Sequence, residues 1–255
     1  MTRKNVRSWI VLTICTAGFV ALLYPMGLWE AGLRVAFPDP SRVLYPDVSL
    51  LQLVWEHVRI VAISSGLALV VGVPLGIAVT RVRFRQFLPL VEDVTTLGQT
   101  FPPVAVLALA APVIGFETSP TIVALFLYGL LPIVRNTVAG LRSVPAEMTE
   151  TAVGMGMDPM RRLLWVELPL SARVILAGAR ISVVINIGTA MIGPLVGAGG
   201  LGVPVTAGLA HYNPAYILEG AIPAALLAFL ADRFFAVLEG TLAPRDEQQP
   251  VVSPQ

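Results

Sequence analysis

Lysine is almost missing from this 255-residue chain, with Lys4 the only one. A P-loop needs a lysine after its glycine-rich turn to reach the β- and γ-phosphates, so the chain cannot build such a site. Cysteine is equally scarce. Cys15 stands alone in an apolar run, which excludes an intramolecular disulfide and a multi-cysteine metal site. The stretch Leu12-Thr13-Ile14-Cys15 also makes a poor lipoprotein box, because Ile14 is too large. The two histidines, His57 and His211, are far apart and lack metal-ligand spacing. No nucleophile, base and orienting group fall on one face, so neither a catalytic residue nor a metal ligand is expected. Charge is the last shortage: 13% of residues are charged against 56% hydrophobic, with a mean hydropathy of +0.79. That balance excludes a soluble globular domain and identifies an integral membrane protein. The net charge of +1 gives no reason to expect a nucleic-acid partner.

What is present is a series of uncharged runs, each close to the roughly 20 residues that cross a bilayer as a helix. The first, Ser8 to Trp29, follows Arg3, Lys4 and Arg7; it is longer than the apolar core of a signal peptide, so a retained spanning helix is expected over residues 1–29. Residues 30–57 carry Pro38, Pro40 and Pro46 and read as an extramembrane loop, with an amphipathic helix near Leu50 to His57. Further spans are expected at Ile60 to Thr80, Val94 to Phe116 and Thr118 to Val134. Another is expected from Ser171 to about Val196, and a last one from Ala215 to Leu238. Between these two, the glycines and prolines from Gly193 to Pro214 suggest an irregular or re-entrant segment, tolerated at membrane depth only where protein or water covers it. Gly72 and Gly76 have the spacing that lets two helices approach closely. The expected whole is an all-α protein with six transmembrane helices, a five-helix core over residues 58–240 and a loose polar tail over 241–255.

Arginine placement orients it. With six spans, Arg34, Arg42 and Arg59 fall on one side and the other fourteen of the 17 basic residues on the side of the N-terminus. Basic loops stay in the cytoplasm, so both termini and the turn at Arg81, Arg83 and Arg85 are expected there.

On the same side lies Val144 to Pro169, which holds six charged residues between two apolar spans: Glu147, Glu150, Asp158, Arg161, Arg162 and Glu167. Its punctuation suggests two short helices. Pro145 opens the first, Gly154 and Gly156 loosen the middle, Asp158-Pro159 caps the second and Pro169 ends it. Met148, Thr149, Ala152 and Val153, then Met160, Leu163 and Leu164, give each helix an apolar stripe.

These residues carry a resemblance. Glu150, Thr151, Ala152, Gly156, Val166, Leu168 and Pro169 match E-A-A-x3-G-x9-I-x-L-P, with Thr151 and Val166 the two departures. That pattern resembles the coupling loop of ABC importer permeases. The stretches GQTFPPVAVLA, ETAVGMGMDP, VELPL and INIGTAMIGPLVGAGGLG resemble the glycine betaine/choline osmoprotectant branch. The resemblance implies a type I importer permease fold, with a cytoplasmic coupling helix formed by Glu150, Thr151, Ala152, Gly154, Gly156, Asp158, Val166, Leu168 and Pro169. It also implies a second permease subunit, identical or paralogous, two ATPase subunits that hold ATP and Mg, and an extracytoplasmic solute-binding protein. On this view the chain is not itself an enzyme.

For the translocation path, the polar and proline-rich positions Thr100, Phe101, Pro102 and Pro103, with Asn186, Thr189 and Gly193, are candidates. Helix kinking and interhelical hydrogen bonding are the other reading of the same residues. Glu92, Asp93, Glu219 and Asp232 lie towards span ends, with Asp232 able to pair locally with Arg233, so a proton relay is not expected. Two rivals stay open: an importer permease for another small polar solute such as an amino acid, and an ATP-independent secondary transporter, for which no inverted repeat is visible.

Overall fold

A chain crossing lipid must satisfy every backbone polar group internally, and without sheet closure only the helix does so. The computed structural model describes residues 3–23, 26–37 and 43–242, which form helices and connecting turns with no strand among them. The helices are α1 (Arg3–Leu23), α2 (Met26–Ala36), α3 (Leu50–Thr80), α4 (Leu88–Thr100), α5 (Pro103–Ile114), α6 (Thr118–Arg142), α7 (Ala146–Gly154), α8 (Pro159–Arg162), α9 (Leu168–Thr189), α10 (Gly202–Ala210) and α11 (Pro214–Thr241). Five helical stretches are long and apolar enough to cross a membrane, and a sixth span results when the bent pair α4 and α5 is counted as one.

The bundle centre is α6, flanked by α3 and α9. Small residues set these crossings. A Cβ at Gly72 would lie 2.8 Å from Ile133 Cγ2, and one at Gly76 would lie 2.7 Å from Thr137 Cβ. The expected close-approach pair therefore lets α3 lie against α6. A Cβ at Gly178 of α9 would similarly lie 2.8 Å from the Pro132 carbonyl of α6. Helix α11 packs on α9 and α10, and α1 sits at the edge against α11, where Trp9 meets Phe234 edge-on at 6.2 Å between ring centroids.

Several boundaries differ from the sequence expectation. The first span ends at Leu23, and Trp29 belongs to α2. Trp29 and Leu33 are buried with Leu50, Leu53 and Leu201, so burying the apolar face of α2 on the bundle takes the place of continuing the span. The helix expected at Leu50 to His57 is the first two turns of α3, one continuous helix of 31 residues capped by Ser49. His57 is accordingly buried, with its Nε2 3.0 Å from the Ile187 carbonyl oxygen. The third span is not straight: α4 and α5 meet at 92°. Proline disfavours the α conformation in the residue before it, and Phe101 and Pro102 are extended at ψ 129° and 130°.

The glycine-rich stretch after α9, expected to be irregular or re-entrant, contains two short helical pieces. A 3-10 turn (Ala190–Val196) leads through Gly197 to Leu201 into α10. Its glycines admit neighbouring backbone. A Cβ on Gly202 would collide with the Met191 carbonyl, and one on Gly208 would lie 2.7 Å from the Asn213 carbonyl oxygen. Pro38, Pro40 and Arg42 of the first loop and the tail from Arg245 to Gln255 lie outside the described residues.

Candidate functional site

The charged hairpin is built from two caps. Two residues past the end of α7 stands a left-handed residue, Gly156 at φ +78°. The Met157 N–H donates to the Ala152 carbonyl at 3.0 Å and the Gly156 N–H to the Val153 carbonyl at 2.9 Å. This is the paired closure of a Schellman cap, and it explains why a glycine must follow the buried alanine at that spacing. Ala152, 1% exposed, is the small residue on which α7 rests, while Gly154 is the last helical residue and a Cβ there would meet open space. Four residues on, Asp158 caps α8 as expected: its Oδ1 accepts from the Met160 and Arg161 amides at 2.9 and 3.0 Å, and Pro159 takes the first helical position. The Arg161 amide foremost, then Met160's and the nearby Arg161 charge, holds the Asp158 carboxyl below its ordinary pKa.

Glu150, Thr151, Gly154, Gly156, Asp158 and Pro169 are exposed, and Val166 and Leu168 are half-buried. Beside them stand large apolar side chains facing outward: Met148, Val153, Met155, Met160, Leu164 and Trp165, the last 76% exposed. Together they give the hairpin an outward-facing apolar set with charged residues around it. Met155 and Trp165 belong to it although the spacing argument did not single them out.

Pro169 does not end the second helix, contrary to expectation. From Leu163 to Glu167 the chain widens into a π turn, in which the Leu168 N–H reaches back five residues to the Leu163 carbonyl. The widened turn accommodates the proline ring, which in a regular helix would clash with the carbonyl four residues earlier. The hairpin thus runs without a break into α9, and the helix expected to begin at Ser171 begins at Leu168. Inside the π turn, Glu167 Oε1 lies 2.9 Å from Arg162 Nε, and its Oε2 lies 2.6 Å from Arg81 Nη2, beyond the end of α3. The Arg81 turn and the hairpin therefore share one end of the bundle.

The path candidates separate into two places. Thr100, Phe101 and Pro102 are exposed at the break between α4 and α5, with Pro103 half-buried. Tyr128 of α6 braces that break: its hydroxyl donates to the Phe101 carbonyl at 2.6 Å, and its carbonyl accepts from Gln99 Nε2 at 3.4 Å. Asn186 is elsewhere, wholly buried where α3, α6 and α9 cross; its Nδ2 donates to Ser65 Oγ at 2.9 Å and sits beside Gly129. In this conformation it joins helices. Thr189 is half-buried and donates to its own helix at the Ile185 carbonyl, and buried Gly193 lies against Thr121 and Ala198.

The carboxylates are dispersed. Asp232 pairs with Arg180 of α9 at 2.6 Å and not with its neighbour Arg233, whose guanidinium instead stacks over Phe229 at 5.1 Å. Glu219 does lie towards a span end, in the second turn of α11, where it is fully buried and accepts the Tyr45 N–H at 2.7 Å.

Comparison with known proteins agrees with this architecture. Residues 72–244 match the family model described as binding-protein-dependent transport system inner membrane component. The choline transport system permease protein OpuBB of Bacillus subtilis is 40% identical over 78% of this chain and 91% of its own length. The osmoprotectant import permease protein OsmY of Salmonella typhimurium is 40% identical over 88% of this chain and 92% of its own. Among solved structures, a chain of the inward-facing MetNI methionine ABC transporter superposes with a TM-score of 0.69 at 23% identity, covering 76% of this chain and 96% of that one; this is a likeness of fold. The chain belongs to the family of inner membrane components of binding-protein-dependent transport systems.

Proposed function

We propose that this chain is the membrane-spanning permease subunit of an ATP-driven importer and forms half of the path for an osmoprotectant of the choline or glycine betaine class. The relatives named for choline and osmoprotectant import support the cargo. The observation that carries the mechanism is the hairpin: a doubly capped, outward-facing apolar surface with a continuous helical connection to a central span. Such a surface suits docking, and its connection suits transmission of a partner's closure to α9. The partner is an ATPase subunit, which holds ATP and its magnesium ion. Two copies of that ATPase, a second permease subunit and an extracytoplasmic solute-binding protein complete the assembly, with both termini and the hairpin in the cytoplasm. Glu150, Thr151, Ala152, Gly154, Gly156, Asp158, Val166, Leu168 and Pro169 form the docking element. The largely exposed break at Thr100 to Pro103 suits the path better than buried Asn186 and Gly193 or half-buried Thr189 do.

The test is purification of the intact complex, identification of its subunits, and uptake of labelled choline and glycine betaine into proteoliposomes. Uptake that depends on ATP and on the solute-binding protein is expected. ATP-independent uptake would overturn the importer reading, and ATP-driven uptake of a solute with which neither choline nor glycine betaine competes would overturn the cargo.

A further inference from the structure

Glu167 is a carboxylate kept 9% exposed at the membrane end of the hairpin, and burial of a charge is tolerated only with partners. It has two, one on each side of a mechanical boundary. Arg162 belongs to the hairpin itself. Arg81 follows α3, and its Nε also donates to the Ile77 carbonyl in that helix's last turn at 3.4 Å. The carboxylate is thereby held to the end of α3, while the π turn that carries it runs on into α9.

We propose that Glu167 is a positioning residue that ties the hairpin to α3, so that a displacement of the hairpin moves α3 together with α9. The inference rests on the importer reading. Two geometric features support it. The first is the continuity of the Pro159–Val196 helix, which already delivers hairpin motion to α9 without help from a side chain. The second is the lack of any such covalent route to α3. The hairpin and α3 are separated in sequence by α4 to α6, so force reaches α3 from this end through packing and through the Arg81–Glu167 pair. Helix α3 in turn lies in glycine-mediated contact with α6. Moving α3 and α9 as a unit about α6 is a two-state rearrangement of the kind alternating access needs.

The test uses the reconstituted complex with its own ATPase and solute-binding protein, and reads solute taken up per ATP hydrolysed alongside co-purification of the ATPase. Glu167→Gln and, independently, Arg81→Gln should keep the ATPase bound and hydrolysing while uptake per ATP falls about three- to tenfold, a size typical of single contacts between coupled parts. Because both substitutions cut one tie, Arg81→Gln/Glu167→Gln should be no worse than the more severe single variant. Arg81→Gln is the safer arm, since it leaves Glu167 paired to Arg162. Unchanged uptake per ATP in an assembled Arg81→Gln complex overturns the proposal even where Glu167→Gln fails to assemble, as do additive effects in the double variant. If the unsubstituted complex shows no ATP-driven uptake, the importer reading itself fails, and the tie with it.

Discussion

Replacing Gly156 separates the backbone requirement of the hairpin from its surface chemistry. Gly156 stands at φ +78° with no atom within 4 Å of where a Cβ would be, so a side chain there meets no neighbour and its whole penalty is conformational. For a non-glycine residue the left-handed conformation costs about 1–2 kcal/mol. Asparagine, which tolerates it better, should cost less than alanine, and valine more. That penalty bears on a short element. Helix α7 has nine residues, below the roughly 12–15 at which an isolated helix becomes even marginal in water, so the two cap hydrogen bonds and the burial of Ala152 matter to its order. A loss of 1–2 kcal/mol lowers the ordered-to-disordered ratio of the cap by a factor of about 5–30, and the apparent affinity of a partner that needs the ordered form falls with the fraction that stays ordered. The assay is a titration of the purified ATPase subunit against the permease in nanodiscs, followed by uptake at limiting ATPase. Affinity should fall in the order glycine, asparagine, alanine, valine. Gly154→Ala provides the contrast, since that residue is helical and alanine there gains up to about 1 kcal/mol of helix propensity. Full affinity for Gly156→Ala, or a ranking that ignores left-handed preference, would refute the reasoning.

Gly76→Ala should lower the melting temperature of the detergent-solubilised protein through a cost of about 1–3 kcal/mol, because its new methyl would press on Thr137, which is buried and branched. Asn186→Cys, in a background where Cys15 is replaced, should stay unreactive to a water-soluble thiol reagent in the solute-free, nucleotide-free state, since the side chain is 0% exposed; Asn186→Ala should cost near the 0.6 kcal/mol typical of an interhelical hydrogen bond, read as a small fall in melting temperature. The lowered pKa of Asp158 means that its cap contributes fully above the ordinary carboxylate value of about 3.9 and is lost as pH falls through the lower, folded value. Hydrogen exchange at the Met160 and Arg161 amides, corrected for intrinsic rates, should therefore lose protection only below about pH 3.9, and Asp158→Asn should lack that acid limb.

The parts of this molecule legible in its sequence are those decided by neighbours along the chain. Length of uncharged run decided the spans, and Asp158 with Pro159 decided a helix start, because an N-cap is made with amides two and three residues away. What the sequence left ambiguous was every position where one residue type serves two physical ends. The glycines from Gly197 to Gly208 suggest irregular backbone by composition, yet Gly202 and Gly208 are helical and small because another backbone lies against them. Pro169 has the chemistry of a helix terminator, but a π turn just before it removes the clash that would make it one. Prolines 102 and 103, by contrast, bend the chain, with Tyr128 supplying a partner for the exposed carbonyl of Phe101.

Charged pairs mark the same boundary more sharply. Arg233 is the nearest cation to Asp232 in sequence, but adjacent residues on a helix point about 100° apart and do not face each other. That geometry alone disfavours the local pair and leaves the carboxylate to seek a cation on another helix, which it finds in Arg180. The sequence around Glu167 narrows its partner in the same way. An acidic residue wedged between Trp165-Val166 and Leu168-Pro169 has to be buried with a cation or displayed to water, and the arginine count puts several cations on its side of the membrane. Sequence narrows the partner to that group; it cannot single out Arg81, because the choice depends on α3 ending where α9 begins, and that depends on Gly72 and Gly76 fitting against α6. The tie between hairpin and span is thus set by packing deep in the bundle. Substitutions at Gly76 should therefore weaken transport coupling as well as stability.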